Sequence, residues 1–182
     1  MMPTSNGAQT SQNVSPSESA TAPSKPYISV IIASYQRRAR LLECLDRLAR
    51  CDGADDTEVI VVEQAALPLE PAIVNRFSSF FSWFEHIVLP KPNVAAARNR
   101  GALRSRGEIL LIIDDDVELG HDYLTNLAAL FKAGQVDMVA GEHADTLTPA
   151  PSPSAATVNA VEWLPTWNFA LRAKDFFFCR WA

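Results

Sequence analysis

The stretch from Ile109 to Val117 reads Ile-Leu-Leu-Ile-Ile-Asp-Asp-Asp-Val, five apolar residues that give way at once to Asp114, Asp115 and Asp116. A short apolar run flanked by polar sequence reads as a strand buried on both faces, as central strands of parallel sheets are. The carboxylates then sit at its C-terminal end, the edge where open α/β sheets bind ligands, in the crevice where the strand order reverses. Side chains alternate along a strand, which places Asp114 and Asp116 on one face and Asp115 on the other. Adjacent carboxylates repel one another, and burial raises their pKa values unless a cation offsets the charge. Hard cations such as Mg²⁺ or Mn²⁺ prefer carboxylate oxygen and commonly share it with phosphate. The triplet alone is equally well explained as a strand end that caps the next helix.

The rest of the chain decides between the two readings. It has 182 residues, 48% of them hydrophobic and 20% charged, enough for one domain with a sizeable core. With a net charge of −5 and a pI of about 5.2, no basic field recruits nucleic acid or an anionic membrane. No apolar run reaches transmembrane length and no charged-then-apolar leader opens the chain, so the expected location is cytoplasmic, with peripheral membrane contact still compatible. Cys44, Cys51 and Cys179 show neither CxxC nor finger spacing.

Residues 1–26, rich in Ser, Thr, Ala and Pro, cannot offset their ordering entropy and are expected to be a disordered tail. The folded domain is expected over 27–182. A strand is predicted over Tyr27 to Ala33, a helix from Arg38 to Arg50 on the spacing of Leu41, Leu42, Leu45 and Leu48, and a second strand over Glu58 to Val62. Strand, helix, strand is one βαβ unit. Ile73, Val74, Phe77, Phe80, Phe81 and Phe84 predict a helix on a sheet face, His86 to Pro90 a third strand, and Ala95 to Arg106 a helix capped by Asn93. After the acidic strand, a helix is predicted over His121 to Lys132, a strand over Val136 to Ala140, a mobile loop over 144–160, and a further element over Trp167 to Leu171. The three histidines, His86, His121 and His143, lack metal spacing and read as surface or capping residues. Glu142 and Asp145 are weak acceptor-side candidates, and Trp163 and Trp167 read as buried against the sheet.

On this layout the first strand delivers Ser34, Tyr35 and Arg37 to one sheet edge, the second Glu63, and the fourth the aspartates. In order along the chain, Ser29–Arg37, Leu41–Leu48, Val59–Glu63, Asn93–Gly101, Asp114–Asp116 and Trp167–Arg172 resemble the pieces of GT-A-fold glycosyltransferases of the family 2 type, over residues 27 to 175. The resemblance implies an α/β, Rossmann-like GT-A fold with a mostly parallel central sheet and helices on both faces, incomplete at the C-terminus. It implies a metal-dependent, inverting transfer of a sugar from a nucleotide-diphosphate sugar, UDP by default, to a hydroxyl of a saccharide or lipid-linked acceptor. Ala33, Ser34 and Tyr35 would line the base and ribose, Asp114 the ribose, Asp115 the variable middle position of the motif, and Asp116 the Mg²⁺ or Mn²⁺. Arg98 would lie near the phosphates or sugar, where a planar, permanently charged guanidinium suits phosphate.

Two departures qualify the resemblance. Glu63 stands where the family usually places an aspartate that accepts from the base, and Gln64 follows it. The family's acidic general-base motif has no match after Asn168–Arg172, so the general base is expected beyond Ala182; Asp175 reads as a polar turn residue. A non-catalytic donor-binding fragment is therefore the alternative reading. A sugar nucleotidyltransferase is disfavoured, because the turn from Ala33 to Arg38 contains no glycine. Arg37 and Arg38 are weighed as phosphate contacts against the plainer view of them as solvated residues opening a helix.

Overall fold

The computed structural model describes residues 25–134, 136–141 and 168–176. In chain order the elements are β1 (Ile28–Tyr35), α1 (Arg38–Leu48), β2 (Glu58–Gln64), α2 (Pro71–Ser78), β3 (Trp83–Val88), α3 (Val94–Arg104), β4 (Ile109–Asp114), α4 (Tyr123–Lys132), β5 (Met138–Ala140), β6 (Asn168–Arg172) and α5 (Ala173–Phe176). The strands form one sheet in the order β3-β2-β1-β4-β6-β5. β3, β2, β1 and β4 are parallel, whereas β6 runs antiparallel to both β4 and β5. The α/β architecture with a mostly parallel sheet and helices on both faces is the one expected. The order reverses between β1 and β4, which locates the ligand-binding edge at their C-terminal ends.

Alternation along the strands builds two cores. On one face Val30, Ile32, Val59, Val61, Leu111 and Ile113 pack with Leu41, Leu45 and Leu48 of α1 and with residues of α2 and α4. Full burial of each of those leucines contributes about 2 kcal/mol. On the other face Ile31, Ile60, Val62, Leu110 and Ile112 receive Ala97 and Ala102 of α3. That helix packs through small residues, and at Gly101 a Cβ would collide with Cγ2 of Ile31. Asn93 caps α3, its side chain accepting from the Ala96 N–H at 2.9 Å, as anticipated.

Several boundaries differ from expectation. β1 continues through Tyr35 and β2 through Glu63 and Gln64, because both strands stay paired to that point. The helix expected through Phe84 stops at Ser78, and Phe84 belongs to β3. Phe77, Phe81 and Phe84 nevertheless share one ring cluster, with centroids 5.7–6.5 Å apart. The tail before residue 25, the 144–160 loop, Glu142, His143, Asp145, Trp163, Trp167 and Cys179 lie outside the described residues.

Candidate functional site

The β1–α1 turn meets the end of β4. Ala33 pairs with Asp114 in register, so Ser34 stands beside Asp115. Ser34 Oγ donates to Asp115 Oδ2 at 2.6 Å. Between Ser34 and the helix the chain passes through Gln36 at φ 52°, the described non-glycine residue with a positive φ, which turns Arg37 back toward the aspartates. Arg37 Nη2 pairs with Asp115 Oδ1 at 2.5 Å and Nη1 donates to Asp116 Oδ2 at 2.9 Å. The Asp115 side chain is wholly buried. Burial pushes its carboxyl above the usual range, the Ser34 hydrogen bond and the Arg37 charge pull it back, and Asp116 and Asp114 raise it further.

Asp114 turns to the α3 face and accepts from Arg98 Nη2 at 2.7 Å. Arg98 is only 4% exposed. Asp114 and Asp115 therefore diverge as strand alternation requires. Asp116 does not rejoin Asp114, because β4 ends at Asp114 and the two following residues form a turn that brings Asp115 and Asp116 to the same guanidinium. Asp116 is 47% exposed at the mouth of the site.

Glu63 has a different environment. Its carboxylate is 1% exposed and takes Arg38 Nε and Nη2 at 3.2 and 3.0 Å and His86 Nε2 at 3.0 Å. Arg38 is tied down in turn by the Leu67 carbonyl at 2.5 Å. The Leu69 N–H donates to His86 Nδ1, so the neutral ring carries its proton on Nε2 and donates it to Glu63. Burial holds this imidazole below its ordinary pKa, against the opposing pull of Glu63. His86 is thus a buried partner of a carboxylate, not a surface or capping histidine. The sequence offered no signal for this, since β3 places the ring beside β2 only through tertiary pairing.

A crevice of about 470 Å³ opens along the C-terminal ends of β1, β2 and β3, walled by Tyr35, Gln36, Gln64, Val88, Pro90 and Pro92. Of the residues singled out from sequence, Ser34, Asp115 and Asp116 join one network through Arg37. Arg98 and Asp114 form a second pair, Tyr35 lines the crevice, and Ala33 is buried beneath it. Glu63 faces the α1 side. Arg37, whose place had the plainer reading of a solvated helix opener, proves to be the link between two aspartates.

Among the described residues no group of three or more His, Cys, Asp or Glu forms a ready metal cage. Mg²⁺ and Mn²⁺ need none when phosphate oxygens complete the shell. The half-exposed Asp116 carboxylate, a hard oxygen donor on the same C-terminal sheet edge as the crevice, fits such a cation.

The profile of glycosyl transferase family 2 matches residues 29–172. The chain belongs to this family. As a glycosyl transferase family 2 member it is 29% identical over 98 residues, 54% of this chain and 28% of the relative, to the putative glycosyltransferase EpsH of Bacillus subtilis strain 168. Its fold matches the mannosyltransferase PcManGT of Pyrobaculum calidifontis, solved with GDP-Man and Mn²⁺, with a TM-score of 0.65 and 20% identity over 85% of this chain and 47% of that one. It also matches S. aureus TarS residues 1–349 in complex with UDP-GlcNAc, with a TM-score of 0.54 and 24% identity over 63% of this chain and 33% of that one. These likenesses establish the GT-A fold. The family 2 chain spans less than half the length of each of these proteins. Among its described residues no helix is long and apolar enough to cross a membrane.

Proposed function

We propose that this domain binds a nucleotide-diphosphate sugar and transfers the sugar, with inversion, to a hydroxyl of a saccharide or lipid-linked acceptor. The observation that carries the reading is that an open crevice over the ends of β1, β2 and β3 and the half-exposed Asp116 carboxylate after β4 lie along the same C-terminal edge of the sheet, linked through the Tyr35–Arg37 turn. The nucleoside lies in the crevice against Tyr35 and over Ala33 and Ser34, and its diphosphate points toward the end of β4. Asp114 is held by Arg98 for the ribose side of the donor, and Asp115 anchors the turn that presents Asp116. Asp116 would hold Mg²⁺ or Mn²⁺, which supplies positive charge to the leaving diphosphate. Arg37 stands beside the same position with a permanent charge and donors suited to phosphate.

In the transfer the acceptor oxygen forms a bond to the anomeric carbon as the carbon–diphosphate bond breaks, and the hydroxyl proton passes to a base. Asp175 is not that base. Because β6 is antiparallel, Arg172 pairs with Ile109 and the Ala173 N–H reaches the Glu108 carbonyl, which carries Asp175 to the sheet edge opposite the crevice. General-base catalysis contributes ~10²–10⁴-fold, so a chain without that group would bind donor with little turnover.

The test is calorimetric titration with UDP, with and without Mn²⁺, on the wild type and Asp116→Ala. Metal-dependent binding that the variant loses supports the reading. A folded wild type that binds neither UDP, GDP nor dTDP in the presence of Mn²⁺ overturns it.

A further inference from the structure

We infer that Arg37 is a built-in counter-ion of Asp116, which it must release before a divalent cation can bind, so that cation and nucleoside diphosphate are taken up together. The inference rests on the nucleotide-sugar reading above and adds to it the residue that couples the two ligands.

The guanidinium holds two unequal partners. Nη2 lies 2.5 Å from Oδ1 of Asp115, whose side chain is wholly buried and whose Oδ2 already accepts from Ser34 at 2.6 Å. Breaking that contact would strand a buried carboxylate, which is costly, so Asp115 acts as the anchor. Nη1 lies 2.9 Å from Oδ2 of Asp116, where the two side chains are 49% and 47% exposed. An ion pair in that setting is worth little, because water and salt screen it. Among the described residues Arg37 is the one side chain paired with Asp116. The contact at Asp116 is therefore the one that opens, while Asp115 and the turn at Gln36 keep the guanidinium in place.

Charge decides what opens it. At Asp116 a lone cation faces a permanent positive charge within hydrogen-bond reach of the same oxygen, and a guanidinium cannot give up its proton to make way. A lone diphosphate can draw Nη1 away only by leaving the Asp116 carboxylate, a like charge, beside it. When both ligands are present, Asp116 turns to the cation and Nη1 of Arg37 to a phosphate oxygen, and every charge has a partner. Such coupling is reciprocal: the factor by which UDP tightens Mn²⁺ equals the factor by which Mn²⁺ tightens UDP.

The experiment follows free Mn²⁺ by electron paramagnetic resonance during titration into wild type, Arg37→Gln and Arg37→Lys, each with and without UDP. Without nucleotide, Arg37→Gln is expected to hold Mn²⁺ about fivefold more tightly than wild type, since one competing ion pair and one repelling charge are gone. The factor by which UDP tightens Mn²⁺ is expected to fall in that variant by at least about fivefold, because the phosphate has also lost its donor. A merely structural Arg37 would not give a gain, since a loosened turn scatters the aspartates and weakens the metal. The gain should vanish when Arg37→Gln is combined with Asp116→Ala, and a gain that persists there overturns the inference. Arg37→Lys has one ammonium that cannot bridge two carboxylates as a fork does; it should fall between wild type and Arg37→Gln, and it decides the matter if the glutamine variant does not fold. Wild type that shows UDP-dependent Mn²⁺ binding, with a folded Arg37 variant no tighter for Mn²⁺ alone, overturns this inference and leaves the donor site standing. Wild type that binds no Mn²⁺ in the presence of UDP overturns the donor site and this inference with it.

Discussion

Replacing Gly101 by alanine sets two effects of known size against each other. In the middle of α3, alanine is the better helix former by about 1 kcal/mol. The new methyl, however, would point at Cγ2 of Ile31, well inside contact distance, with Cβ and Cγ1 of the same residue close behind. Ile31 is fully buried in the centre of β1, and a β-branched side chain has little freedom at χ1. Forcing a methyl into a closed core costs roughly 1–3 kcal/mol. Packing therefore wins, and Gly101→Ala should destabilise by about 1 kcal/mol net, read as a lower urea midpoint at unchanged slope. Arg98 lies on the same helix, one turn earlier, so a helix that backs away from the sheet also draws the guanidinium from Asp114 and, under the donor site proposed above, should weaken binding of UDP with Mn²⁺. A double-mutant cycle with Ile31→Ala isolates the clash, because the loss from the alanine at 101 should vanish when Cγ2 is gone. A higher urea midpoint for Gly101→Ala, or strict additivity in the cycle, would refute the argument.

Other perturbations probe the neighbouring networks. His86 has a native pKa held below 6.5 by burial, so the unfolded chain takes up the proton first as pH falls through 6.5. Stability should therefore drop as pH is lowered from that point, more steeply for the wild type than for His86→Gln, in urea titrations at about pH 7.5 and about pH 5.5; equal slopes would count against it. Ser34→Ala removes the 2.6 Å bond to the buried Asp115 carboxylate. The expected loss is about 2 kcal/mol, or roughly 4–8 °C in Tm, and an unchanged Tm would show that Arg37 alone satisfies Asp115. Burial pushes the Cys44 thiol up to about 12. At about pH 8 it should resist a thiol reagent in the native protein and react fully in urea, and rapid native labelling would contradict the packing of α1 on the sheet.

The parallel core was legible because it is written in local pattern. Ile109–Ile113 and Val59–Val62 are apolar runs, and the leucines of α1 keep helical spacing, so the burial of each followed from sequence alone. The second helix and third strand were misdivided for a physical reason. Phe77, Phe81 and Phe84 carry a helix-like spacing, yet what joins their rings is a tertiary cluster spanning α2, a turn and β3. Strand alternation correctly separated Asp114 from Asp115 and then failed at Asp116, where the strand had already ended. The locking of Glu63 by Arg38 and His86 could not be read at all, since it joins residues from three separate elements. The direction of β6 was equally hidden, because an apolar segment carries no mark of whether it pairs parallel or antiparallel.

The antiparallel placement of β6 also shapes how the chain reaches its native state. β4, the strand that carries the aspartates, finds its inner neighbour in β1, far back in the sequence, and its outer neighbour in β6, far ahead. Pairings of such long range make folding slow. During synthesis from the N-terminus, β4 leaves the ribosome well before β6 does, and for that interval its outer row of N–H and C=O groups has no partner. An apolar strand with an open edge is a template for pairing between molecules. The strand that carries the aspartates is thus also the one whose edge stays open until β6 arrives to cover it.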